Sequence, residues 1–192
     1  MFKKTITNEE LELLPLTSFE GQIIVVESLI SFNGAMQMLE KERVLGFDTE
    51  TKPSFKKGKN NKVALLQLAT EDHAFLFRIN KIGMPEELAK LMANPEVIKV
   101  GAAIRDDIKA HQGVTFFKPH GFVELQDLAK KTEIEQIGLK NLAAIVLNIK
   151  ISKRQQLSNW ENEELGQPQL KYAATDAWVG YKIFMEIQKG LV

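Results

Sequence analysis

Residues 44–50 read Val44-Leu45-Gly46-Phe47-Asp48-Thr49-Glu50, a β-branched and aromatic run that closes on two acids one residue apart. The composition predicts a strand, and a strand's period of two turns Asp48 and Glu50 to the same face. Two like charges side by side weaken a sheet. They either meet a hard divalent cation, which takes oxygen ligands of this kind, or reach solvent where the strand ends.

Downstream, residues 52–62 hold five lysines (Lys52, Lys56, Lys57, Lys59 and Lys62) and no acid, among Pro53, Gly58, Asn60 and Asn61, which reads as a loop. Two extended runs follow, 63–69 and 74–79, with Thr70-Glu71-Asp72-His73 as the turn of a hairpin. Upstream, 23–26 is a short β-branched strand, and a helix runs through Ala35, Met36, Met38 and Leu39 into Glu40-Lys41-Glu42-Arg43. Residues 1–20 show no clear period and read as a lead-in arm.

From Pro85 the pattern is helix (Leu88, Leu91, Met92), strand (97–100), then a helix opening near Asp106. Residues 122–132, 139–147 and 169–189 carry apolar residues at spacings of three and four, with Gly138 and Asn148 as stops. No repeat, low-complexity tract or linker interrupts residues 21–192, so they are expected to form one domain. Strands first in antiparallel fashion, then an alternating section, then helices, imply an α/β fold: a mixed sheet with helices on its faces.

The 192 residues are 44% hydrophobic and contain no Cys, which excludes a disulfide framework, a thiolate nucleophile and a cysteine metal site. Lys plus Arg equals Asp plus Glu at 25 each, so no net field draws the chain to phosphate or membrane, and local clusters must decide. No apolar run approaches the roughly 20 residues that cross a bilayer. The N-terminus turns acidic where a secretion signal needs an apolar core, and a cytoplasmic location is expected, with no membrane partner.

Two further stretches carry chemistry. Tyr172 and Asp176 are four apart on a helix and share a face, and Ala173, Ala174 and Ala177 let that helix approach a sheet closely. Asp106 and Asp107 follow a strand and open a helix, where an Asp commonly caps free backbone N–H groups.

In chain order, Gly46-Phe47-Asp48-Thr49-Glu50, the strand 63–69, the run from Lys99-Val100-Gly101 to Asp106-Asp107, and Tyr172-Ala173-Ala174-Thr175-Asp176 resemble the motifs of one nuclease family. That family is the DEDDy branch of the DnaQ-like 3′-to-5′ exonucleases, which includes ribonuclease D and Werner-type exonuclease domains. The flanking runs Gly138-Leu139-Lys140-Asn141-Leu142 and Leu157-Ser158-Asn159-Trp160-Glu161 are similar too, and the likeness extends from about Ile23 to the C-terminus. Lys171 stands where the sister branch carries a histidine, which assigns the chain to the tyrosine branch. In the aspartate doublet, where relatives usually show one acid, the match falls on Asp107, and Asp106 is left as the helix cap.

The resemblance implies a ribonuclease H-like mixed sheet of five or six strands flanked by helices. It implies hydrolysis of DNA or RNA from the 3′ end with release of nucleoside 5′-monophosphates, dependent on two Mg²⁺ or Mn²⁺ ions. Asp48 would bridge both ions, Glu50 and Asp176 would complete the site of the ion that activates water, and Asp107 would hold the other. Tyr172 would orient the attacking water and help remove its proton. The partner would be a nucleic acid with a free 3′ end, single-stranded or frayed, contacted by Thr49, Lys56, Lys57 and Trp160. Trp160 and Phe55 either stack on unpaired bases or belong to the core. A non-catalytic nucleic-acid-binding module on the same fold is the alternative. His73, His111 and His120 fit no ligand spacing.

Overall fold

The computed structural model describes residues 2–53 and 62–190. Its centre is strand β3 (Val63–Ala69), whose seven residues are all buried, the signature of a strand covered on both faces. Around it stand β1 (Gln22–Val26), β2 (Val44–Thr51), β4 (His73–Phe77), β5 (Ile98–Gly101) and β6 (Phe122–Glu124), in the order β1-β4-β3-β2-β5-β6. β3 runs antiparallel to both of its neighbours, β2 and β4, and the expected hairpin joins β3 to β4. Thr70 closes its turn: the amide of Thr70 donates to the carbonyl of His73 at 2.8 Å, and the amide of His73 donates to the Thr70 hydroxyl at 3.1 Å.

β5 and β6 join on the far side of β2, all parallel. β1 is parallel to β4, not antiparallel as the order of early strands suggested. Helix α2 (Leu29–Leu39) carries the chain over the sheet between β1 and β2, and such a crossover leaves the two strands pointing the same way. Ser28 starts α2 through a capping box with Ser31.

Three boundaries differ from the sequence reading. The predicted helix over 122–132 begins as strand β6 and becomes helix α6 only at Leu125–Lys131, because three residues are too few to display a period of two. The expected strand 74–79 stops at Phe77, and Ile79 opens the one-turn helix α3 (Ile79–Ile82). The lead-in arm contains helix α1 (Asn8–Leu13), capped reciprocally by Thr7 and Glu10. Leu11 is buried, and Phe2 and Ile6 pack on the cluster beneath the C-terminal helices.

The core lies in two layers. On one face α2 and α4 (Glu86–Ala93) bury Phe32, Leu39, Leu88 and Met92 against Leu45, Phe47, Leu66, Leu68, Phe75 and Phe77 of the strands. On the other, α6, α7 (Leu139–Leu147) and the 24-residue α8 (Gln167–Gly190) bury Leu128, Leu142, Val146, Val179 and Ile183. Alternation along β2 therefore sends Phe47 and Thr49 toward the α2 side, and Gly46, Asp48 and Glu50 toward α8.

Candidate active site

Asp48 and Glu50 stand at the C-terminal end of β2 on the face that α8 covers, and α8 brings Asp176 to them. One carboxylate oxygen from each of the three lies within 4.8 Å of the others. Ala173, Ala174 and Ala177 of α8 are fully buried, so at these positions the helix presents nothing larger than a methyl. The small residues thus set the position of the acid.

Burial and mutual repulsion hold protons on the group. Glu50 is pushed up to about 9, by loss of water first and then by the charges of Asp48 and Asp176. Asp48 is raised well above its usual range by burial, Asp176 and Asp107, and Asp176 is raised by burial. Lys153 opposes this: its ammonium is 3.8 Å from Oδ2 of Asp176, and its charge lowers Asp48 and Glu50 as well. The other oxygen of Asp176, Oδ1, is buried and has no hydrogen-bond partner. Three converging carboxylates, one with an orphaned oxygen, form an all-oxygen donor set that fits a hard divalent cation.

Tyr172 lies one helical turn before Asp176, and its ring rests on Trp160 with centroids 6.0 Å apart. Burial, Asp176 and Glu50 drive its phenol far above the ordinary tyrosine value, so the group keeps its proton. The neighbouring carboxylates that raise it are the ones whose charge a bound cation would offset. Beside it opens a groove of about 290 Å³ whose walls include Thr17, Ser152, Arg154, Lys171 and Tyr172 itself.

Asp107 lies in the first turn of α5 (Arg105–Gln112), outside the 4.8 Å group. It still borders the same site, because its charge raises both Asp48 and Glu50. Burial, then Asp106 and Glu124, raise Asp107 itself to about 6. Asp106 does not cap the helix. It is exposed and pairs with Lys109 at 2.9 Å, while the Glu124 carboxylate accepts from the amides of Ala103 and Ile104 at 2.8 and 2.9 Å. β6, the strand hidden from the sequence reading, supplies that capping group.

The substrate-contact candidates divide. Thr49 is on the opposite face from the acids, with its hydroxyl 3.0 Å from Nε2 of His111. Trp160 is fully buried, so it supports Tyr172 and offers no surface to a base, which corrects the stacking role expected for it. Phe55, Lys56 and Lys57 lie outside the described residues. Downstream, Glu161 pairs with Lys52 at 3.3 Å and Glu163 with Lys81 at 2.8 Å.

The sequence reading missed three residues. Lys153 had no signal, since no spacing connects it to an acid more than 20 positions away. His111 lies four residues after Asp107 on α5 and is the only residue of that helix that is buried, a pattern visible once the helix is accepted. Gln67 is the one polar side chain in the apolar run Val63-Ala64-Leu65-Leu66-Gln67-Leu68-Ala69.

Comparisons with known proteins agree with this geometry. The family model for the 3′-5′ exonuclease domain matches residues 23–192. A bifunctional 3′-5′ exonuclease/ATP-dependent helicase of Mus musculus is 33% identical over 185 residues, covering 91% of this chain and 13% of that protein. A 3′-5′ exonuclease of Arabidopsis thaliana is 30% identical over 152 residues, covering 73% of this chain and 51% of that protein. The chain thus spans about half or less of the length of these two curated relatives. The crystal structure of the Aedes aegypti Nibbler EXO domain superposes with a TM-score of 0.82 at 27% identity, covering 91% of this chain and 92% of that one. Escherichia coli RNase D, at 17% identity and a TM-score of 0.75, shares the fold. On the match of its family model, the chain belongs to the 3′-5′ exonuclease family.

Proposed function

We propose that this chain is a DEDDy-type exonuclease that hydrolyses phosphodiester bonds from the 3′ end of a single-stranded or frayed nucleic acid and releases nucleoside 5′-monophosphates. The observation that carries this reading is the convergence of Asp48, Glu50 and Asp176 within 4.8 Å, with Tyr172 one helical turn before Asp176. Asp48, Glu50 and Asp176 are the residues that would hold one divalent ion, Mg²⁺ or Mn²⁺, and Asp48 with Asp107 a second. Such ions supply charge neutralisation at the phosphate and a nucleophilic water at neutral pH.

The chain's own residues do the rest. Tyr172 orients the attacking water against the phosphorus. As the P–O3′ bond breaks, the departing 3′ oxygen takes up a proton and the new terminus carries a hydroxyl. Arg154 and Lys171 in the wall of the groove beside Tyr172 offer positive charge to the strand's phosphates. Lys171 is shared with Glu20 at 2.7 Å, so Arg154 is the stronger contact of the two.

The test is digestion of a 5′-labelled single-stranded oligonucleotide, in DNA and RNA versions, with Mg²⁺ or Mn²⁺. The reading requires a ladder shortening from the 3′ end that disappears on chelation and in Asp176→Asn. Binding without shortening overturns it.

A further inference from the structure

The register of the sheet places Gln67 of β3 directly opposite Asp48 of β2. Cross-strand partners project from the same face, with Cβ atoms about 4.5 to 5.5 Å apart. Gln67 is completely buried, and neither its Nε2 nor its Oε1 has a hydrogen-bond partner. A buried amide left unpaired is costly, and replacing it by an apolar group of similar shape is ordinarily neutral or stabilising. The rest of the strand is apolar, and Gln67 faces Leu76 on its other side, across from β4. Two other buried groups without a hydrogen-bond partner belong to segments packed on this face, Oδ1 of Asp176 on α8 and Nε1 of Trp160. Gln67 is thus a buried amide with both its donor and its acceptor unpartnered, directly across from the carboxylate at the centre of the cluster.

We propose that Gln67 is a positioning residue for Asp48: unpartnered in the metal-free fold, its amide N–H turns to donate to the Asp48 carboxylate when that carboxylate ligates a metal ion. The inference rests on the exonuclease reading for the identity of the site, and concerns how that site is held. Ligating carboxylates need a hydrogen bond from outside the coordination sphere to keep their orientation, and losing one typically weakens the metal by tenfold to a hundredfold. A buried amide supplies this without adding charge to a crowded site. Glutamine at this position therefore lowers the stability of the metal-free fold and raises its affinity for the ion.

The test is Gln67→Met, which keeps length and removes both polar atoms. Without metal its Tm rises by a few degrees, because the unpaired amide is gone. Calorimetric titration with Mn²⁺ shows binding weakened tenfold or more. In the intact wild-type protein, the side-chain amide proton resonances of Gln67 move on addition of Mg²⁺. These opposite signs on stability and affinity are the signature, since a packing role would lower both. Gln67→Met that binds Mn²⁺ within twofold of wild type, or that loses stability and affinity together, overturns the proposal, as do Gln67 resonances unmoved by Mg²⁺. None of these readouts needs turnover. A protein that passes them but leaves oligonucleotides intact refutes the exonuclease reading alone.

Discussion

A Cβ on Gly46 would overlap the carbonyl oxygen of Ala177, so α8 lies on the bare backbone of β2 two residues before Asp48. One residue before Ala177 is Asp176, and this contact is what delivers that carboxylate to the strand. Gly46→Ala forces the helix outward. The expected cost is about 1 to 3 kcal/mol of stability. Mn²⁺ binding should weaken more than that loss explains, as seen by titrating the folded variant.

Stability without metal should fall as pH rises. Glu50, near 4.5 in the unfolded chain and about 9 when folded, and Asp107, raised to about 6, keep protons that the unfolded chain has lost. A carboxyl raised in this way contributes nothing below its unfolded value. It then costs on the order of 1 kcal/mol per pH unit until the folded value is passed. Chemical denaturation between pH 5 and 9 in a chelator should therefore show declining stability. Mn²⁺ should reverse the trend, with a gain that grows with pH because binding displaces those protons.

Lys153 neutralises part of the cluster while no ion is bound, so Lys153→Met removes countercharge. The ammonium is about a third exposed, which limits the loss to on the order of 1 kcal/mol near pH 8. The deficit should shrink as pH is lowered, since each carboxyl that takes up a proton leaves the ammonium less charge to offset. It should also vanish with saturating Mn²⁺. Denaturation of both proteins near pH 8 and at lower pH, with and without Mn²⁺, checks each sign.

The hydrogen bond between Thr49 and His111, 3.0 Å long, ties α5 to the strand that bears Asp48 and Glu50. Burial lowers His111 to about 4, so the ring is neutral at working pH. His111→Leu loses the tie together with the orphaned Nδ1, and Tm should change by only a few degrees. Small displacements at a reacting centre are expensive, so kcat should fall roughly tenfold or more with little change in KM. Equal kcat in the two proteins would show that α5 is held by other contacts.

Much of the site was legible because its signals are local. Asp48 and Glu50 share a face by the period of a strand, Tyr172 and Asp176 by the period of a helix, and the alanines between them announce close packing. The remaining features depend on register and direction, which composition does not record. That Gln67 faces Asp48 follows from a hairpin register. That Glu124 caps α5 follows from a three-residue strand pairing beside Lys99, and Lys153 reaches Asp176 only through the path of the segment before Trp160. Trp160 read equally well as a platform for bases or as core, and only its burial under Tyr172 decides the matter.

The central claim is that acids remote in sequence share divalent ions, and anomalous diffraction from crystals grown with Mn²⁺ and a nucleoside 5′-monophosphate tests it most directly. The account predicts one peak ringed by Asp48, Glu50 and Asp176 and a second between Asp48 and Asp107, about 4 Å away. Absence of manganese from the three carboxylates, or Asp107 turned from Asp48 with only one ion bound, would contradict it.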